Sequence, residues 1–455
     1  MKKNLFALWL IFSFSLALQA QEQVRMTLQE ALSLSLENNV NVKNARLETL
    51  ISKATIKETT ASGLPQINGA FDVNYNPAIP VVFLPNEPPF GDPNIPSDVI
   101  PARFGVSFTS SLSANVRQMI FDGSFFVGLR AAKTYKQLTD YDLEKTETDV
   151  IESVKKAYFG VLVNQERIRL AQSNLARVDT LLNETRALNE AGFAEKIDVS
   201  RIQVQRNNTF TQLERSRAAL EISMQLLKLQ IGLPMEYDLE LEENLEEFNS
   251  LEEVSALLTE QGSERIEVKQ VNTNIELVGL DIKNNQSQYM PSIDFVGNIQ
   301  RAGAGNEISS VFNSQNWFGS SLIGVSMTIP IFDGFLKSAK IQKNRIQIQQ
   351  LENQRNYLKE SIKSEIFSAK TNLKNDLSLL QVQQENLALA REVFDMARIK
   401  YNEGVGSNLE VVEADAALIE AEINYLSALY DGLVSKVDLE KALGILKTSI
   451  ENQTN

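Results

Sequence analysis

Cysteine and histidine are both absent from the 455 residues. Without thiols there can be no disulfide, no thiolate metal site and no N-terminal lipid thioether. Without imidazole the chain lacks the usual general base and the usual zinc ligand, so a hydrolase reading has only scattered carboxylates to stand on. Past residue 20 no apolar run reaches the roughly 18 residues that a membrane helix needs; a membrane span would have to be made of strands. Basic charge is scarce too: 44 Lys and Arg stand against 58 Asp and Glu, a formal net charge of −14. Such a balance argues against nucleic acid as a partner. Proline is rare outside one segment, Pro77 to Pro101, which holds eight of the twelve.

What is present begins with a leader. Lys2 and Lys3 precede an apolar stretch from Leu5 to Leu18 and the small residue Ala20, so residues 1–20 read as a signal peptide cleaved near Ala20. An uncleaved anchor helix is the alternative. Cleavage removes two lysines and no acid, which moves the net charge from −14 to −16.

Thr27-Leu28-Gln29-Glu30-Ala31 is a helix start, a threonine cap with glutamate three residues on. Apolar spacing predicts a helix to about Ser62, stopped by Gly63-Leu64-Pro65. Alternation then predicts strands at about 66–76, with Ile67, Phe71, Val73 and Tyr75 on one side, and at about 103–118. Each is about ten residues long, the length of a tilted membrane strand; a soluble hairpin with one wet face has the same local pattern. The prolines between them cannot continue a helix or pair inside a sheet. Residues 77–101 therefore read as a long outer loop, with a proline-rich recognition ligand as the alternative.

After Ile120-Phe121-Asp122-Gly123 the period becomes helical. Val150, Val154, Ala157, Val161, Asn164, Ile168, Ala171, Leu175, Val178 and Leu182 step by fours and threes, a heptad seam. The helix ends at Asn189-Glu190-Ala191-Gly192, and a second runs from near Asp198 to Gly232-Leu233-Pro234. Residues 236–249 are an acidic linker.

The sequence then repeats itself. Ser250-Leu251-Glu252-Glu253 matches the Thr27 start, strands recur at about 292–300 and 319–331, and Ile331-Phe332-Asp333-Gly334 repeats the strand-to-helix hinge. Gly192 and Gly404 lie 212 residues apart, as do Gly232 and Gly444, and the first seam shifted by 212 falls on Ile362 through Phe394, with Asp376 in place of Asn164. The domain reading is a first repeat over 21–235, a second over 250–447 and a polar tail at 448–455. Pro330, which has no backbone donor, is absent from the first hinge, where Met119 stands; the first hinge should turn more gently.

Four amphipathic strands cannot close a barrel alone, because their edges would leave backbone groups unpaired in hydrocarbon. Two chains would give eight strands and a filled interior, three would give twelve and a lumen. The expected fold class is therefore mainly α with a β-barrel part: a duplicated helix-strand-strand-helix-helix unit, assembled as a trimeric 12-stranded membrane β-barrel continued by an α-helical barrel.

Three stretches carry a resemblance to a known family: Ile329-Pro330-Ile331-Phe332-Asp333-Gly334, the Thr27 start with its repeat, and Tyr401-Asn402-Glu403-Gly404 followed by Glu410. Here the chain resembles the TolC-like outer-membrane efflux family over nearly all of its mature length. The resemblance implies that the membrane barrel is an outer-membrane β-barrel and its continuation a periplasmic α-helical barrel. The resemblance implies a homotrimer in outer-membrane lipid that serves as the exit duct of a tripartite efflux or type I secretion system, with a periplasmic adaptor (membrane fusion protein) and an inner-membrane transporter as partners. It implies no cofactor, no metal and no enzymatic activity.

Carried over residue by residue, the gate is Asp198, Tyr401, Glu410 and Glu413, with Tyr401 holding Asp198 and the two glutamates ringing the narrow end. The adaptor-binding tips are Gly192, Phe193 and Ala194 and Gly404, Val405, Gly406 and Ser407. Some members have a basic residue where Gly406 stands, so a gate salt bridge is in doubt. Two readings stand side by side at each place. The glycines also suit a tight helix-to-helix turn, and the acids also suit helix starts, where they oppose the macrodipole. Asp122 and Asp333 are helix caps at the barrel junction. A different class of function, a periplasmic coiled-coil structural or adaptor protein bridging the envelope, remains the alternative.

Overall fold

The structure, a computed structural model, describes residues 23–89, 91, 94–245, 257–260 and 262–447. The expected signal peptide, the helix start at Ser250 to Glu253 and the polar tail lie outside the described residues. The main elements are β1 (Gln23–Met26), α1 (Leu28–Asn38), α2 (Val40–Ala61), β2 (Gln66–Tyr75), β3 (Val81–Pro85), β4 (Val99–Arg103), β5 (Phe108–Phe121), α3 (Gly123–Glu190), α4 (Lys196–Ile231), β6 (Asp238–Leu241), α5 (Ile266–Ser287), β7 (Ser292–Gly305), β8 (Trp317–Thr328), α6 (Leu336–Asn402) and α7 (Asn408–Ala442). They form two compact units, one of residues 1–49, 138–272 and 353–455, the other of residues 50–137 and 273–352.

The second unit contains the sheet. Its strands run antiparallel in the order β2-β5-β7-β8. Polar side chains of neighbouring strands meet across it: Arg117 Nη2 donates to Asp294 Oδ2 at 2.6 Å, and Asn298 Nδ2 to Asn115 Oδ1 at 2.6 Å. This sheet corrects the expected fold class. β2 and β8 are outer strands paired on one side only, and among the described residues the sheet does not close into a barrel. Four strands are about half of what the smallest side-chain-filled barrels use. The alternation that suggested twelve barrel strands and transmembrane strands encodes an open four-stranded sheet with large apolar residues such as Ile67, Leu322 and Ile323 exposed. Among the described residues no helix is long and apolar enough to cross a membrane.

The segment read as a long loop contains the ribbon β3-β4, with Phe83 opposite Pro101 and Pro85 opposite Val99. A two-stranded ribbon has only edges, where a proline's missing donor is tolerated. Asn86 fastens the connection, its Nδ2 donating to the carbonyls of Ile95 and Ser97, both at 2.9 Å.

The two hinges reverse the expected contrast. β5 passes into α3 through Asp122 alone, whereas seven residues, 329–335, separate β8 from α6. A register shift between Met119 and Phe121 already bends β5. Asp122 then caps at once, Oδ1 accepting the N–H of Ser124 at 2.8 Å and its hydroxyl at 2.6 Å. In the second hinge both Gly334 (φ 68°) and Phe335 (φ 67°) are left-handed before the helix can begin. Asp333 Oδ2 reaches forward to accept the Lys337 N–H at 3.1 Å. That bond is the chief cause of its carboxyl lying below the ordinary value.

The helical unit shows two further departures. The single helix expected from Thr27 to about Ser62 is broken at Asn39, whose ψ of 132° leaves helical space. Its Oδ1 accepts the Asn41 N–H at 2.8 Å and its Nδ2 donates to the Gln230 carbonyl at 2.7 Å. Asparagine competes with the helix in this way because its amide imitates the backbone. Inside the acidic linker, β6 pairs in parallel with β1 and turns Leu239 and Leu241 into the core. Glu243 beside it accepts the Leu28 N–H at 2.7 Å and the Tyr158 hydroxyl at 2.8 Å, sealing the start of α1.

The heptad seam of α3 lies in the cores. Val150, Val154 and Val161 join one cluster with residues of α1, α4 and α7, while Val178 and Leu182 join another with Ile202, Phe394, Ala397, Val411 and Leu418. Between α3 and α7 runs a polar ladder: Lys155 to Glu440 at 2.7 Å, Asn174 to Glu422 at 2.8 Å and Arg177 to Asp415 at 2.7 Å.

Candidate functional site

The candidate site is the pair of turns that end the α3-α4 and α6-α7 hairpins. Both are built by one device. In the first, the Gly192 N–H donates to the Asn189 carbonyl at 3.0 Å and the Phe193 N–H to that of Leu188 at 2.8 Å. In the second, Gly404 donates to Tyr401 and Val405 to Lys400, both at 3.0 Å. This crossed pair satisfies the last free carbonyls of a helix and requires a left-handed residue at its centre. Gly192 (φ 83°) and Gly404 (φ 76°) supply it. Asn189 Nδ2 ties the first turn further by donating to the Ala194 carbonyl at 2.7 Å.

Gly406 is glycine for a different reason. Its N–H donates to Lys400 at 3.0 Å, and a Cβ there would stand 2.9 Å from Lys400 Cβ and 3.0 Å from the Tyr401 nitrogen. Any side chain at this position would crowd the turn's own backbone.

The helices that leave the turns begin on matched residues, 212 positions apart. Ser407 caps α7, its Oγ accepting the Glu410 N–H at 3.2 Å. At the start of α4 the bond runs the other way, with Asp198 Oδ2 accepting the Glu195 N–H at 3.3 Å. Asp198 also receives Arg201 Nη1 at 3.3 Å. The Tyr401 hydroxyl lies 3.4 Å from Oγ1 of Thr185. Thus Asp198 is brought to Arg201 and Tyr401 to Thr185, while Glu410 and Glu413 lie exposed on α7. Phe193 and Val405, at 84% and 79% exposure, project from the two turns.

Thr185 was missed by sequence reasoning although it is fully buried. Its signal was there: it stands seven residues after Val178, one step beyond the last seam position assigned. The partners of the α3-α7 ladder were also missed, since each joins residues more than 230 positions apart and no local period marks them. Among the described residues no group of three or more acids is placed to hold a metal ion.

The paired turns recur at the same places in the two halves of the chain, and comparison with known families covers both halves. Residues 101–233 and 259–445 match the model of the family described as outer membrane efflux protein. The chain belongs to that family. As a member it is similar to the outer membrane protein TolC of Escherichia coli (strain K12), 21% identical over 354 residues, which is 75% of this chain and 70% of that protein. It is likewise similar to the outer membrane efflux protein BepC of Brucella suis biovar 1 (strain 1330), 21% identical over 431 residues, 94% of this chain and 87% of the relative. Among solved structures, the open state of the Neisseria gonorrhoeae MtrE outer membrane channel superposes with a TM-score of 0.71 at 18% identity, over 92% of this chain and 88% of that one. Family membership carries with it a non-enzymatic role in efflux at the outer membrane.

Proposed function

We propose that this protein is the outer-membrane exit duct of a tripartite efflux or type I secretion system. It works as a homotrimer and is a passive conduit from periplasm to exterior. A periplasmic adaptor docks on the tips at Gly192, Phe193 and Ala194 and at Gly404, Val405, Gly406 and Ser407, and together with an inner-membrane transporter it opens the periplasmic end. Asp198, Tyr401, Glu410 and Glu413 form the gate, where three copies of each acid about one axis would favour cations and repel anions.

The observation that carries the reading is the match of both halves of the chain to one efflux family. The exposed Phe193 and Val405 on turns of fixed geometry support the docking surface, because apolar side chains held clear of the helices are available to a partner. In the gate, Tyr401 has Thr185 as a partner within its own chain. Freeing that end therefore means breaking a packed hairpin contact as well as an acid ring.

Fractionation and conductance test both parts. The duct should resist salt extraction from outer membranes and migrate as a heat-sensitive oligomer; a monomer released by salt would favour the periplasmic coiled-coil alternative. In planar bilayers, replacing Tyr401→Phe together with Asp198→Ala should raise single-channel conductance. Conductance equal to the parent's would remove these two residues from the gate and leave the duct reading intact.

A further inference from the structure

Between β8 and α6 the chain turns outward the kind of side chain that folding normally turns inward. Ile331, Phe332 and Phe335 are 94%, 76% and 72% exposed, and Ile329 and Leu336 beside them are exposed as well. The two rings meet edge to face at 5.4 Å; they pack on each other and leave an apolar patch open, a feature that marks contact with a partner or a membrane. A left-handed backbone is rare for a bulky residue such as Phe335, φ 67°, and strain of this kind persists where a function uses it. The strand-to-helix turn does not itself demand the exposure. In the first hinge Phe121 and Phe125 are half-buried, and the Phe125 ring lies against Gly63, where an added Cβ would stand 2.6 Å from it.

Basic charge follows the patch. In a chain of net charge −14, the stretch from Gly334 to Leu351 contains no acid and four bases, Lys337, Lys340, Lys343 and Arg345. Lys337 is engaged within the chain, 3.2 Å from Asp333 and 4.9 Å from the centre of the Tyr289 ring. Lys340 and Lys343 are exposed. With Leu336 they step by four and three along one face of α6, about 6 and 10 Å beyond Leu336 along the axis. Aromatic and aliphatic side chains in front, with long basic ones one and two turns behind, match the layering of a phospholipid surface. Its acyl boundary takes the apolar groups and its phosphates the lysine heads, whose flexible stems span the distance between.

We propose that this hinge is a lipid contact. Ile331, Phe332 and Phe335 enter the boundary between headgroups and acyl chains, and Lys340 and Lys343 hold the phosphates of anionic phospholipids. Charge complementarity selects this occupant: an anionic surface attracts the basic stretch and repels the acidic remainder of the chain, which favours the hinge over the helices as the point of contact. Such a contact needs only the outer-membrane setting that family membership carries, and neither a spanning strand nor an exit duct.

The test titrates dioleoylphosphatidylglycerol or dioleoylphosphatidylcholine into the full-length protein in detergent micelles, with bound lipid and oligomeric state read by native mass spectrometry. At low ionic strength the anionic lipid should bind at least tenfold more tightly, and raising the salt to about 0.5 M should remove most of that preference. Lys340→Gln with Lys343→Gln should abolish the preference and leave phosphatidylcholine binding unchanged. The charge-matched pair Lys359→Gln with Lys374→Gln, further along the same helix, should keep it. Phe332→Ser with Phe335→Gly should weaken both lipids at least fivefold. Equal binding of the two lipids by the parent would overturn the contact, as would a preference that survives the loss of Lys340 and Lys343 or vanishes equally in the control pair. Dissociation of the oligomer in the aromatic variant with lipid binding unchanged would also overturn it, by assigning the patch to a second copy of the chain. Should the aromatic variant fail to fold, the lysine variant, altered only at exposed side chains, decides the matter.

Discussion

Gly406 and Gly192 are both tip glycines, yet they answer to different forces. Nothing lies within 4 Å of a Cβ added at Gly192, where the constraint is the backbone angle alone, whereas a Cβ at Gly406 runs into Lys400 and Tyr401. Gly192→Ala should therefore cost about 1–2 kcal/mol, the penalty of a left-handed L-residue. Gly406→Ala adds crowding and should cost about 1–3 kcal/mol while displacing the turn. Limited proteolysis reads the difference: only the Gly406 variant should gain early cleavage within residues 400–407. The same crowding gives a physical reason for glycine at position 406, which the spacing of the sequence alone could not supply.

Between elements, the α3-α7 ladder bears the larger energies. Lys155 and Glu440 are about 10% and 9% exposed and 2.7 Å apart. Removing one charge strands the other in a poorly solvated seam, whereas replacing both by apolar groups of similar volume restores a packed one. Lys155→Met and Glu440→Met should each cost roughly 3–5 kcal/mol, and the double variant should come close to the parent, as read from urea midpoints at neutral pH. The elements themselves were largely legible in the sequence, because a period near 3.5 sustained from Val150 to Leu182 has few competing explanations and alternation locates β2 and β5. The ladder was not legible, since its partners come from opposite halves of the chain. Nor was β6: four residues of alternation in a run of glutamates look like a linker until β1 is found beside them. Tyr401 could be singled out but not paired, as Thr185 and Tyr401 are 216 positions apart. The barrel failed for a further reason. Alternation says that a strand has two unlike faces and carries no information about whether the sheet closes.

At the scale of the whole molecule the net negative charge is held together by a few lysines. Lys441 lies 3.0 Å from Asp149 and 2.5 Å from Glu152, and Lys156 lies 2.8 Å from Glu152 and 2.5 Å from Asp438. Burial pushes the carboxyls of Asp149 and Glu152 up, but the hydrogen bonds from Lys145, Lys156 and Lys441 outweigh it and hold both below their ordinary values. Burial lowers Lys156 and Lys441 in turn, and their acidic partners more than reverse it, raising both. Depressed carboxylates stabilise above their unfolded values and lose that contribution as pH falls through the folded ones. Raised lysines stabilise below their unfolded values and lose it as pH rises through the folded ones. The thermal midpoint should accordingly be flat between about pH 5 and pH 10 and fall on both sides. Lys441→Met should lower the plateau and shallow both limbs in circular dichroism melts.

The parallel pair β1-β6 sets a timetable as well as a structure. Gln23 is registered with Asp238 and Met26 with Leu241, so β1 has no sheet partner until more than two hundred further residues have been delivered. Local helices close their own contacts as they emerge, but this strand must wait, and long-range pairing of this kind slows folding. A chain threaded through a membrane from its N-terminus would thus carry one of its earliest segments as unfinished business, dependent on whatever escorts keep Val24 and Met26 from pairing with strangers. Completion of the β1-β6 ladder would mark the moment at which the first half of the molecule becomes self-sufficient.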